Sequence, residues 1–310
     1  MNRSTLFWTI AFLVTLTSAI YQRMTGPTYP VTGTTTMRGV RIDFTLERSH
    51  GGADDAVVRV PVRDTAVHPI LEWKRYKTDD AYARQPMHIG TDGTQGVLPH
   101  QPPGGKLEYR VLLDDGVESV ALPENGFVVM RFKGDVPAGV LVPHILAMFL
   151  AMLLSTRAGL EFFAREPKFG KLVGWTVGVL AIGGIILGPL VQRYAFNAWW
   201  TGWPFGGDLT DNKTAAALLA WIAAAIALKR SRVPRRWVLG ASIVTLVVFL
   251  LPHSLLGTEL DYKAVPKESA PSLGAQVFRQ NSSFCRMGEE RKMLILWEIA
   301  SHECGRGSKI

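Results

Sequence analysis

The chain has 310 residues, a net charge of +8 and only two cysteines, Cys285 and Cys304. The length allows two domains, and the lack of any CxxC or Cys/His spacing excludes a finger-type zinc site. Much of the basic charge lies in short clusters beside apolar runs, which argues against a nucleic-acid partner and for membrane topology.

At the start, Arg3 precedes an apolar run from Leu6 to Ile20. Such a run is short for a span, which needs about 20 residues, and it also has the length of a signal-peptide core. Cleavage after Ala19 would leave Thr17 where a small residue is wanted. Residues 1–21 therefore read as an uncleaved anchor, with a signal peptide as the alternative, and either exports the polar segment after it.

Residues 22–135 are polar, and from 36 to 133 they alternate with a period of two. Val40, Ile42, Phe44 and Leu46 share one face of VRIDFTLE; Val58, Val60 and Val62 share one face of VVRVPV; Leu107, Tyr109 and Val111 share one face of KLEYRV. Strands of this kind bury one face and wet the other. Turn signals at His50-Gly51-Gly52, Asp92-Gly93, Gly104-Gly105 and Asp114-Asp115-Gly116 separate them. Several short strands in about 100 residues predict an all-β sandwich.

LEWKRY (Leu71 to Tyr76) and LPHQPPGGKLEYRVLLDDG (Leu98 to Gly116) resemble a fibronectin type III or immunoglobulin-like module. Trp73 and Tyr109 match its core aromatic positions. The whole chain is also similar to uncharacterised bacterial multi-span inner-membrane proteins that pair such a domain with a few helices. That likeness implies a fold and a location but no activity.

Residues 136–256 carry four apolar runs, roughly Val136 to Ser155, Leu172 to Val191, Thr214 to Leu228 and Trp237 to Leu256. With the N-terminal run they predict about five spans. Arg157, Arg165, Lys168 and Lys171 fill one connection, and Lys229, Arg230, Arg232, Arg235 and Arg236 another. The positive-inside rule places both in the cytoplasm. The N-terminus is then inside, and residues 22–135 and the C-terminus are outside, at a bacterial cytoplasmic (inner) membrane. Trp199, Trp200 and Trp203 fall at the outer end of the third run, where indoles anchor at the headgroup level.

Four glycines in that run, Gly174, Gly178, Gly184 and Gly188, have the small-xxx-small spacing that lets helices approach. They point to this helix as the centre of the bundle or as a subunit contact. His144 and His253 each follow a proline at membrane depth, where ionisable groups default to a functional reading. With Asp208 and Asp211 they suit a ligand, a metal or haem; the competing reading is a histidine bonded to a carbonyl freed by proline.

The stretch FNAWWTGWPFGGDLTDNKT (Phe196 to Thr214) reads as belt, turn and helix cap. Its alternative is a lid whose Asp208, Asp211 and Lys213 face the two histidines. Beyond it, residues 257–310 form an extracytoplasmic tail. Lys263 to Ser283 has the composition of a disordered segment, and Cys285 and Cys304, outside the cytoplasm, are able to pair.

No phosphate-binding loop, HExxH or GxSxG motif is present. The sequence therefore predicts a non-catalytic accessory or scaffold protein without a cofactor. Its exported domain would bind a membrane or periplasmic protein, and its helices the lipid bilayer. The alternatives are a redox, metal or ligand-handling protein using His144, His253, Asp208 and Asp211, and a small transporter or channel component.

Overall fold

One helix, then a run of strands, then a run of helices follow each other along the chain in the computed structural model, which describes residues 2–90, 93–252, 257 and 259–262. Helix α1 (Arg3–Thr25) comes first, its open end capped by Asn2, whose side chain accepts from Ser4 N at 3.0 Å. Eleven strands come next: β1 (Val31–Met37), β2 (Val40–Leu46), β3 (Ser49–Gly51), β4 (Ala56–Val60), β5 (His68–Arg75), β6 (Ala83–Pro86), β7 (His88–Gly90), β8 (Gly93–Leu98), β9 (Lys106–Asp114), β10 (Ser119–Leu122) and β11 (Val128–Lys133).

The strands make three sheets. β1 and β2 form a hairpin. The largest sheet has the order β3-β11-β9-β5-β6, with β10 also on β9, and the third runs β4-β8-β7. All pairs are antiparallel except β3 with β11, so the sheets are open and mixed. Alternation builds their common core: Leu107, Tyr109, Val111 and Leu113 of β9 are all fully buried, and the residues between them are half-buried. Trp73 lies directly opposite Tyr109 in the β5–β9 register, and both belong to the core.

The hairpin holds two surprises for period-two reading. Val40 is 60% exposed, because it closes a turn at Arg38 and Gly39, both with positive φ. The threonine-rich strand β1 pairs with β2 through Gly33, where a β-carbon would lie 2.5 Å from the Phe44 ring. Period-two reading starts at residue 36 and misses this strand, because Gly33 replaces the bulky residue that would mark its core face.

The second half is helical: α2 (Ala138–Leu160), a 3₁₀ turn (Glu161–Phe163), then α3 (Gly170–Leu180), a π-helical stretch (Ala181–Leu187) and α4 (Gly188–Phe196) as one continuous rod. α5 (Leu209–Arg230) and α6 (Pro234–Leu250) follow. Among the described residues, four helical segments are long and apolar enough to cross a membrane: Arg3–Thr25, Ala138–Phe163, Gly170–Phe196 and Leu209–Arg230. The fifth expected span, α6, has 17 residues, because Pro234 sets its start and the backbone turns extended at Leu251. Exposed apolar side chains such as Phe12, Leu146, Ile186, Leu219 and Ile243 form a belt of the kind that lipid covers.

α2 is the hub, packing against α1, the α3–α4 rod and α6. The third apolar run, expected at the centre of the bundle or at a subunit contact, packs against both α2 and α5. A β-carbon at Gly174 or Gly178 would meet open space, whereas one at Gly184 would strike Thr214 at 2.5 Å and one at Gly159 of α2 would strike Ser242 at 2.3 Å. Spacing alone does not tell which face of a helix meets a neighbour. His253, Cys285, Cys304 and the expected disordered stretch lie outside the described residues.

Candidate functional site

The aromatic and acidic stretch between α4 and α5 folds into a closed knot. α4 ends at Asn197, in the left-handed region (φ 58°) that asparagine tolerates. Trp199, Trp203 and Phe205 project outward, 57%, 78% and 82% exposed. Trp200 is half-buried and donates from Nε1 to Trp203 O at 3.2 Å. Gly206 N donates to Gly202 O, and Asp208 N to Thr201 O, which reverses the chain.

The carboxylates serve this loop. Asp208 caps α5 by accepting from Thr210 N at 2.7 Å. Asp211 Oδ2 accepts from Thr201 N at 2.7 Å and from Gly202 N at 3.0 Å. Asn212 Oδ1 accepts from Trp203 N at 2.6 Å. The Thr201 hydroxyl accepts from Gln192 at 2.5 Å and lies 3.3 Å from both Asp208 and Asp211. Lys213, buried one turn further on, donates to Leu251 O at 2.7 Å, a cation placed at the negative end of α6.

The sheet domain docks on the last turn of α4, where this knot begins. Gly134, just past β11, donates its N–H to Ala195 O at 2.9 Å, and the Arg131 guanidinium lies 4.2 Å over the Phe196 ring. Arg131 is buried, and that burial lowers its pKa; the nearby charges of Asp208 and Glu259 oppose the shift only in part. A second tie comes from the chain beyond α6. Glu259 bonds Lys77 and Lys106 at 2.8 Å each, and Leu260 N donates to Gly104 O at 3.0 Å.

The histidine expectation divides. His144 Nδ1 bonds Gly183 O at 2.8 Å, in the π-helical stretch, and its ring lies 3.8 Å from where a β-carbon of Gly188 would sit. Gly183 O also receives the N–H of Gly188. Asp208 and Asp211 accept hydrogen bonds from residues 201, 202 and 210, within their own loop. Among the described residues no three His, Cys, Asp or Glu side chains come together in a metal-binding group.

Sequence reasoning missed Gly134, Arg131, Gln192, Thr201 and Glu259, none of which carries a local signal. It also missed a patch on the outward face of the largest sheet. Glu72 on β5, only 2% exposed, accepts from Arg84 on β6 at 2.7 Å and from Arg110 on β9 at 2.5 Å. Beside it Lys74 pairs with Glu108 at 3.4 Å, and Tyr82 donates to Glu108 at 2.7 Å. Tyr82 stacks on Phe127 at 4.7 Å, and Arg110 lies 4.6 Å over Phe127. Burial, then the Glu108 hydrogen bond, pushes the Tyr82 phenol up to about 12. The registers Glu72↔Arg84, Glu72↔Arg110 and Lys74↔Glu108 make these directly opposed cross-strand pairs.

Comparison with known proteins adds no likeness: no family model, no curated protein and no solved structure matches the chain.

Proposed function

We propose that the chain is a non-catalytic accessory or scaffold protein of a membrane, which holds its sheet domain rigidly above its helices and offers that domain to a protein partner. The observation that carries this reading is the joint. A tether would suffice to display a domain, but here Gly134, Arg131 and Glu259 fasten it at separate points. The acidic residues of the outer loop accept from backbone N–H groups of that loop, next to the joint, which favours a structural role for them over chemistry. The patch of Tyr82, Arg84, Arg110 and Phe127 has the aromatic and arginine composition that interfaces favour, held in place by its own ion pairs.

The finer reading of the sheets as a fibronectin type III or immunoglobulin-like module is supported by the Trp73–Tyr109 pair in the core. It is also supported by the Tyr109 hydroxyl, which donates to Glu47 O at 2.7 Å, a link from a core strand back to upstream backbone. An inner-membrane location with the sheet domain outside accords with the basic clusters at the opposite helix ends.

The test is affinity purification of the tagged chain from its native membrane in mild detergent, beside a Tyr82→Ala, Arg84→Glu variant. The expected result is a stoichiometric membrane or extracytoplasmic protein that this variant loses and that Glu72→Gln keeps, since Glu72→Gln weakens the same ion pairs without altering the surface side chains Tyr82 and Arg84. A solitary chain, or a partner indifferent to the variant, rejects the reading.

A second reading, a ligand site at membrane depth, draws on His144. Its bond to Gly183 O sits in a π-helical stretch, a geometry frequent at functional sites. A pigment or quinone co-purifying with the wild type and lost in His144→Ala would favour it.

A further inference from the structure

The end of the bundle remote from the sheet domain carries a feature that the joint does not explain. Residues 229–236, between α5 and α6, hold Lys229, Arg230, Arg232, Arg235 and Arg236 and no acid. Arg235 donates to Arg165 O at 2.9 Å, which joins this turn to the one after α2. None of the five forms an ion pair among the described residues. Directly beside them an apolar groove of about 410 Å³ opens between α5 and α6. Ala220 and Ala223 form one wall, Gly240 and Val244 the other, and Arg236 and Trp237 stand at its mouth.

The groove arises from side-chain size. Farther in, Trp221 and Ala241 close the contact between the two helices. On the outside, alanines face a glycine, and a β-carbon at Gly240 would meet nothing within 4 Å. Arg236, Gly240 and Val244 recur every four residues, so they line one face of α6 over about 12 Å. Trp237 is 50% exposed, the setting in which an indole anchors at a headgroup boundary. A furrow open to hydrocarbon, with uncompensated cations at its mouth, is complementary to a molecule with an apolar chain and an anionic head.

We propose that this groove is a binding site for an anionic phospholipid, with one acyl chain along Ala220, Ala223, Gly240 and Val244 and the phosphate at Arg236. Trp237 flanks the headgroup, and the neighbouring Lys229, Arg230 and Arg232 add a general attraction that does not depend on the groove. The site rests on the helices lying in a bilayer but not on the identity of any protein partner.

Native mass spectrometry of the full chain in detergent tests it, with phosphatidylglycerol and phosphatidylcholine of the same acyl chains as probes. Phosphatidylglycerol should be retained about fivefold more than phosphatidylcholine. Arg236→Gln should remove most of that preference, leaving only the general attraction of the neighbouring cations, whereas Arg232→Gln should leave most of it. Gly240→Leu, which fills the groove, should lower retention of both; Ala223→Leu serves if that variant has a lowered melting temperature. Equal loss from Arg232→Gln and Arg236→Gln would mean diffuse charge and no site. Retention untouched by both groove-filling variants, or a lipid-free dimer that Gly240→Leu splits, overturns the proposal as well.

Discussion

The backbone N–H of Gly134 points at the Ala195 carbonyl, 2.9 Å away, and so ties the last strand of the sheet domain to the last turn of the α3–α4 rod. There is no room for a side chain at this position, because a β-carbon on Gly134 would fall 2.3 Å from the Tyr194 carbonyl. The obstacle is backbone and cannot swing aside. Gly134→Ala is therefore expected to cost about 1–3 kcal/mol through forced displacement of the joint. Thermal unfolding in detergent measures the loss. Limited proteolysis around residue 134 should speed up in the same variant, since the contact closes the strand-to-helix connection. A variant as stable and as resistant as wild type would show that the joint is dispensable.

The outward patch and the Glu259 tie set a pH dependence whose sign is fixed. Burial alone pushes Glu72 up, but the hydrogen bonds from Arg84 and Arg110 outweigh it and hold the carboxyl below its ordinary range. Glu259 behaves in the same way between Lys106 and Lys77. Asp80 is held low chiefly by Arg75, which grips it at 2.6 and 2.9 Å. A carboxyl with a lower pKa folded than unfolded stabilises the fold fully above its unfolded value, and the gain vanishes as pH falls through the folded value. The melting temperature should thus change little from about pH 7 to about pH 5 and fall below about pH 4. Glu72→Gln should cost about 1–2 kcal/mol at pH 7, less than a fully enclosed pair because Arg84 remains largely in water. It should also shrink the difference between neutral and acid stability. An acid limb unchanged by this variant would assign the pH dependence to other groups.

How much of this was legible in the sequence depends on how local each feature is. The apolar runs mark the long helices because a span is written in consecutive residues, and Leu107, Tyr109, Val111 and Leu113 mark β9 because a strand repeats every two. The joint is written nowhere locally. Gly134 meets Ala195, Arg131 meets Phe196, and Glu259 meets Lys77 and Lys106, and each pair is distant in the chain. The candidate carboxylates show the same limit. Asp208 and Asp211 stand out by composition, but they accept from backbone N–H groups of residues 201, 202 and 210, which any sequence possesses. His144 likewise stands out by depth, yet its partner is the carbonyl of Gly183 on another helix.

Those loop contacts make Asp211 testable apart from any role in binding. Its Oδ2 receives two backbone N–H groups, from Thr201 and Gly202, within a half-buried turn. Asp211→Ala leaves both donors without that acceptor, which should cost about 1–3 kcal/mol. Asp211→Asn keeps an acceptor oxygen and should recover roughly half of the loss. Thermal unfolding in detergent measures both losses. Full stability of Asp211→Ala, together with loss of a bound ligand, would favour the second functional reading over the joint.

The bundle interior has one polar contact whose removal should be felt alone. Trp221 is fully buried on α5, and its Nε1 donates to Thr245 Oγ1 on α6 at 2.7 Å. That hydroxyl in turn donates to Ala241 O at 2.9 Å, so Thr245 links the indole to backbone one turn away. Thr245→Val keeps the volume and removes the acceptor, leaving an indole N–H enclosed among apolar side chains. The cost should be about 0.5–2 kcal/mol, in the range of interhelical hydrogen bonds inside membranes. Trp221→Phe in the same background should add little further loss from the hydrogen bond, because the donor is already without its acceptor; what remains is the smaller ring. A double-mutant cycle on detergent stability separates the two terms. Strictly additive losses would mean that α5 and α6 are held by packing around Ala217, Ala224 and Ala241 and that the hydrogen bond contributes nothing of its own.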